Sequence, residues 1–155
     1  MMSAFIVVNI RGTINQNSRV KTTLAHLHLK SRFRATIIPN TPISKGMLQT
    51  VKNNVAWTNA DSSIIESLII TRGEKSNSIK YDADLAKEDG YTNIADLAKA
   101  LSEAKINLSS ISNLKPSFRL SPPKGGFRKS TKRMYAQGGT LGYNPDLPKL
   151  ISNMI

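Results

Sequence analysis

Between Pro122 and Tyr143 the chain carries Lys124, Arg128, Lys129, Lys132 and Arg133, with the rings of Phe127 and Tyr135 among them. No carboxylate lies between Ala104 and Pro145. Guanidinium and ammonium groups neutralise phosphates, arginine by forking onto two oxygens and lysine as a point charge. Rings set among them can stack on exposed bases, or pack back on a core. Gly125-Gly126 lets the backbone turn freely or approach another backbone closely. A basic, acid-free loop of this kind repels itself and buries too little apolar surface to offset its ordering entropy. A polyanion would order it; the bland alternative is a solvated loop with no partner.

Other chemistries find no footing. There is no cysteine, hence no disulfide, no thiolate metal site and no cysteine nucleophile. His26 and His28, two residues apart, point to different faces of a helix and cannot share one ion. Asp and Glu are confined to the middle of the chain in the pattern of solvated helices. No nucleophile, base and orienting group can be assembled. Gly125-Gly126 and Gly138-Gly139 lack the Gly-Lys-Ser/Thr signature of a nucleotide-cradling loop. The expectation is therefore no enzyme, no cofactor, no metal and no small-molecule substrate.

Charge distribution points the same way. The 155 residues carry a formal net charge of +12 with pI about 10.2, which implies an anionic partner. Residues 1–60 hold eight Lys/Arg and no acid, residues 61–103 are net −4, and residues 104–155 are net +8. One block with no acid and one with a single Asp suggest surfaces facing one polyanion, with the middle block facing water. No stretch approaches the length of a transmembrane span. The opening MMSAFIVVNIR lacks a basic leader and a cleavage site, so it reads as a strand, with no membrane partner.

The elements that must position these groups follow from periodicity and caps. Ala4 to Ile10 is β-branched and aromatic, a strand. Asn17 or Ser18 caps a helix with Val20, Leu24 and Leu27 inward. Ala35 to Ile38 is a second strand. Pro42 opens a second helix with Met47, Leu48 and Val51 inward; Trp57 follows as a packing residue. Asp61 caps a helix over Ile64, Ile65, Leu68 and Ile69 that Gly73 ends. Glu74 to Tyr91 is an exposed loop, Thr92 caps a helix through Leu101, and Lys105 to Leu114 is irregular. Phe118 and Leu120 alternate in a strand that Pro122-Pro123 stops. Asp146 to Met154 is a short helix.

Thr41-Pro42-Ile43-Ser44-Lys45-Gly46-Met47-Leu48, followed by Val51 and Val55, resembles the signature of ribosomal protein thirty of the large subunit, whose eukaryotic relative is numbered seven. Arg11-Gly12 and Arg19 fit as well, and Leu120-Ser121-Pro122-Pro123-Lys124-Gly125-Gly126 is similar to the Pro-Pro-basic-Gly-Gly loop of archaeal and eukaryotic members. Asn40 departs from the Asp common before Thr-Pro in that family. The resemblance spans nearly the whole chain in its archaeal form. It implies an α+β fold: a βαβαβ core with a three-stranded antiparallel sheet, somewhat ferredoxin-like, with a helical insertion and a basic C-terminal loop.

On that basis residues 1–60 with 115–123 form the core, with Ser117 to Ser121 as third strand. Residues 61–114 are the insertion, and residues 124–155 the basic loop and terminal helix. The resemblance also implies large-subunit ribosomal RNA as partner, near the 5S RNA, with neighbouring ribosomal proteins, in the cytoplasmic ribosome. The expected RNA contacts are Arg11, Arg19, Lys45 and Lys52 from the core, and Lys124, Gly125, Gly126, Phe127, Arg128, Lys129, Lys132, Arg133 and Tyr135 from the loop. A free-standing RNA- or DNA-binding module and a small α/β enzyme on an anionic substrate stay open as alternatives.

Overall fold

The computed structural model describes residues 3–14, 16–76, 79–111, 113–127 and 129–155. Strand β1, Ala4–Asn9, lies inside the sheet and is buried along its length. Its side chains alternate between two apolar clusters, as the period of a strand requires. Phe5 and Val7 join Leu24, Leu27, Leu48, Val51 and Trp57 on one side, while Ala4, Ile6 and Val8 join Ile65, Leu68, Leu97, Leu101 and Ile151 on the other.

The first side is covered by α1, Ser18–His26, and α2, Pro42–Val51. The Asn17 side chain accepts the Val20 N–H to start α1; Thr41 does the same for Ser44, with Pro42 in the first turn of α2. The helix expected to carry both His26 and His28 stops at His26, and His28 takes φ 61°, so the two histidines do not share a helix. Strands β2, Arg34–Pro39, and β3, Val55–Asn59, flank β1 antiparallel on either edge.

The second side is covered by α3, Ser62–Arg72, α4, Ala83–Glu88, α5, Ile94–Ser102, and α6, Leu147–Met154. Asp61 caps α3 and Gly73 closes it; Asn93, one residue past the expected Thr92, caps α5 through the Asp96 N–H. Between them β4, Glu74–Ser76, pairs with β5, Ile79–Lys80. The sheet is completed by β6, Phe118–Arg119, on the outer edge of β2, and by β7, Ser130–Met134, and β8, Gly139–Tyr143, beyond β3, in the order β6-β2-β1-β3-β8-β7.

The expected three-stranded sheet is thus corrected to six strands, though its antiparallel β2-β1-β3 centre is present. The third strand of that centre is Val55–Asn59, not Ser117 to Ser121. A short apolar run such as Val55-Ala56-Trp57 does not by its periodicity declare helix or strand. Phe118–Arg119 pairs with β2 at the sheet edge instead, Ala35 opposite Phe118. The stretch expected as loop up to Tyr143 holds β8, which runs parallel to β3 and is buried but for Tyr143. Glycine disguises it, because Gly139 and Gly142 lower strand propensity. Gly139 is needed there: a Cβ would run into the Arg133 carbonyl of β7.

Glu74 to Tyr91, expected as exposed loop, contains β4, β5, α4 and the buried Tyr81. The Tyr81 hydroxyl donates to Asp89 Oδ2 at 2.9 Å. Burial, then that bond and the Asp89 charge, push its pKa well above the usual 10.0.

Phe118 is wholly buried in the second cluster. Phe118→Ala is expected to cost about 3–5 kcal/mol in urea unfolding, whereas alanine at the exposed Ile70 should cost little. Tyr81 keeps its proton in the folded chain at a pH where the unfolded chain has lost it. Its contribution is therefore full below about pH 10 and falls as pH climbs past that value. The stability advantage of the wild type over Tyr81→Phe should shrink between about pH 9 and about pH 11.

Candidate nucleic-acid interface

At one end of the sheet two buried asparagines hold a turn. Asn9 Nδ2 donates to the Leu29 carbonyl at 2.9 Å, and Asn9 Oδ1 accepts the Gly12 N–H at 2.7 Å. Asn54 Nδ2 donates to the Gly12 carbonyl, and the Asn54 carbonyl accepts the N–H groups of Ile10 and Arg11. Gly12, at φ 78°, supplies a left-handed conformation that a side chain would strain. The turn presents Arg11, exposed, with Nη1 3.4 Å from the Asn53 carbonyl and therefore beside Lys52. Arg32 Nε donates to the Ile10 carbonyl at 2.8 Å, which brings a third cation to the same end.

From there a chain of rings leads to the basic loop. The Arg32 guanidinium carbon stands 4.6 Å from the centroid of Phe33, and Phe33 stacks on Phe127 with centroids 6.1 Å apart and planes 21° from parallel. The loop is anchored by backbone: Leu120 N–H to the Phe33 carbonyl, Ser121 N–H to Met154, Lys124 N–H to Asn153 and Gly126 N–H to Pro123. These bonds join residues 120–126 to β2 on one side and the last turns of α6 on the other.

Beyond Phe127 opens a cleft of about 480 Å³, lined by the Lys124–Phe127 turn, Lys129, Tyr135, Asp146 and Lys149 among others. The Tyr135 hydroxyl donates to Asp146 Oδ2 at 3.0 Å, and the Lys129 ammonium lies 3.9 Å from the same oxygen and 4.3 Å from the Tyr135 ring centroid. The bond to Asp146 raises the Tyr135 pKa. Asp146 itself is set by Asn144, a buried residue whose Oδ1 accepts the Asp146 N–H, whose Nδ2 donates to the Thr140 carbonyl and whose N–H donates to Trp57.

Of the residues singled out by sequence, Lys124, Gly125, Gly126, Phe127, Lys129 and Tyr135 converge on this cleft. Arg11 stands on the Asn9–Asn54 turn and reaches the Asn53 carbonyl, one residue from Lys52. Arg19 and Lys45 are exposed on α1 and α2, and Lys132 and Arg133 on the outermost strand, β7, away from the cleft lining. Arg128 lies outside the described residues. Phe127 is half-buried against Phe33 and Tyr135 is tied to Asp146, so each has a protein neighbour while also lining the cleft. Sequence reasoning missed Arg32, Lys149, Asp146 and the clamping Asn9 and Asn54. Asn9 had a legible signal, a lone amide ending an apolar strand just before Arg-Gly; convergence of the others depends on tertiary pairing.

The family model described as ribosomal protein L30p/L7e matches residues 5–55, from β1 to the first residue of β3. The chain is 41% identical over 155 residues to large ribosomal subunit protein uL30 of Nitrosopumilus maritimus, with all of both chains covered. It is 41% identical over 156 residues to that of Cenarchaeum symbiosum, again over both whole chains. Against the Archaeoglobus fulgidus protein of the same name the identity is 39%, over 90% of this chain and 91% of the relative.

Removing the Asn9 amide strips partners from the Leu29 carbonyl and the Gly12 N–H, both in buried residues. Asn9→Ala should therefore lower stability by about 2–4 kcal/mol in urea unfolding, while Arg11→Ala on the exposed turn should stay within about 0.5 kcal/mol of wild type.

Proposed function

The chain belongs to the ribosomal protein L30p/L7e family, and from that premise we propose that it is a structural constituent of the large subunit of an archaeal-type cytoplasmic ribosome, seated on ribosomal RNA. It is a scaffold protein, not an enzyme; its work is to neutralise and hold. The observation that carries the reading is a connected basic belt. Arg11 reaches the Asn53 carbonyl next to Lys52, Arg32 binds the Ile10 carbonyl next to Arg11 and covers Phe33, Phe33 stacks on Phe127, and Phe127 lines the cleft with Lys124, Lys129 and Lys149. Segments far apart in sequence, one from an acid-free block and one from a block with a single carboxylate, are brought together by one stack of rings.

The mechanism is electrostatic and geometric. The belt cations sit on phosphates and displace condensed counterions, so affinity depends steeply on salt. Arg11 and Arg32, fixed by bonds to backbone carbonyls, offer guanidinium edges in set directions. A basic surface set on backbone bonds suits the backbone of folded RNA, whose deep major groove side chains cannot read. Arg19, Lys45, Lys132 and Arg133 extend the interface beyond the belt. The net-acidic segment from Asp61 to Glu103, carried by α3, α4 and α5, faces neighbouring ribosomal proteins or solvent, and the seat lies near the 5S RNA.

Binding to a large-subunit ribosomal RNA fragment, followed across salt concentrations, tests the reading. Neutralising Lys124, Lys129 and Lys149 together should flatten the slope of log affinity against log salt by about 2–3, since each phosphate left without its cation takes roughly 0.7–0.9 from the slope. Neutralising Lys87 and Lys99 on the acidic segment should leave the slope unchanged. The reverse pattern would overturn the assignment of the belt.

A further inference from the structure

Asp146 stands alone among cations. It is the single Asp or Glu in residues 104–155, and it lies on the wall of a cleft that Lys124, Lys129 and Lys149 also line. A surface meant only to lie on phosphate gains nothing from a carboxylate there, since like charges repel. Tying Tyr135 and Lys129 together explains one oxygen, Oδ2, which takes both contacts. Oδ1 takes neither. The carboxylate is also held from behind, because Asn144 binds its backbone N–H and is itself buried and bonded to β8 and β3.

The other walls fit a nucleotide. At about 480 Å³ the cleft falls within the ~300–1,000 Å³ usual for small-molecule sites. Phe127, backed by Phe33, gives a ring on which a base can stack. Lys124 and Lys149 give ammonium groups for its phosphates. The carboxylate then chooses among bases. Two carboxylate oxygens accept two parallel N–H groups. Guanine alone shows two such donors side by side, N1–H and the N2 amine. Adenine and cytosine set one amine beside a lone pair that would face the second oxygen, and uracil sets one N–H between two carbonyls.

We infer that the cleft between the Lys124–Phe127 turn and the start of α6 receives one unpaired guanine nucleotide of the RNA. Its base stacks on Phe127, its N1–H and N2 amine bind the Asp146 carboxylate, and its phosphate lies between Lys124 and Lys149. The inference rests on the RNA-binding reading above and adds a base-specific contact to a surface otherwise selective for shape and charge.

The test uses the full chain, labelled with nitrogen-15 and titrated with single-stranded uridine pentamers whose central base is guanine, hypoxanthine, adenine or cytosine. Amide shifts of Gly125, Gly126 and Asn144 report on the cleft. Guanine should bind about tenfold or more tightly than adenine, and hypoxanthine, which lacks the N2 amine, should fall between them. Asp146→Asn should erase the preference yet still bind the pentamers, while Tyr135→Phe, which frees Oδ2 and keeps the carboxylate, should retain it. Equal affinities for the four pentamers would overturn the guanine site and leave the RNA-binding reading intact. So would inorganic phosphate alone reproducing the same shifts at the same concentration. Loss of all binding, by the pentamers and by the ribosomal RNA fragment alike, would overturn both.

Discussion

Strand β1 is buried on both faces, and that constraint decides where charge can go. A strand that feeds Phe5 and Val7 to one cluster and Ile6 and Val8 to the other must be covered by helices on both sides. Cations cannot sit on its length. They are displaced to its end, to the turns that flank it and to the outer surfaces of the covering helices. Arg11 follows β1 directly, Arg32 precedes β2, and Lys52 precedes β3. All three stand at the same end of the central sheet because β1 runs antiparallel to both neighbours. The basic belt is therefore a consequence of strand topology, with Asn9 and Asn54 fixing its geometry.

The two faces differ in electrostatic character for a related reason. The helices over the Phe5–Val7 face, α1 and α2, come from the acid-free first block, while α3, α4 and α5, with the residues that cap them, carry most of the carboxylates to the opposite face. The sheet thus separates a cationic layer from a net-acidic one. The C-terminal segment crosses this division: its aromatic Phe127 reaches the Arg32 turn, while Leu147, Ile151 and Met154 of α6 fill the core beneath the second layer.

What could be read from sequence was what local chemistry announces. The Asn17 and Asp61 caps, Pro42 in the first turn of α2, Gly73 after α3 and the apolar stripes of the helices act over four or five residues, and each is where the pattern put it. What could not be read was decided by distant partners. Val55–Asn59 becomes a strand because β1 offers it an edge, and Gly139–Tyr143 because β3 does, against the propensity of two glycines. Tyr81 is buried by packing that no window around it reveals. The same division runs through the candidate site. Lys124 to Tyr135 stood out as a cluster in sequence. Arg32, Asp146 and Lys149 are isolated charges that only the folded chain brings to it.

The parallel pairing of β8 with β3 and the burial of α6 against β3 have a consequence for how the protein is made. About 140 residues separate β1 from α6, so at ~5–20 residues per second the second face of the nascent sheet, though α3 to α5 emerge earlier, stays incompletely covered for on the order of ten seconds during synthesis. Through that interval Ile6 and Val8 wait for Ile151, and the emerging strand β3 has a bare edge where β8 will dock. Until α6 and β8 arrive, the early cations and the unfinished apolar face are presented together, the first to any polyanion and the second to any chain with a bare strand edge.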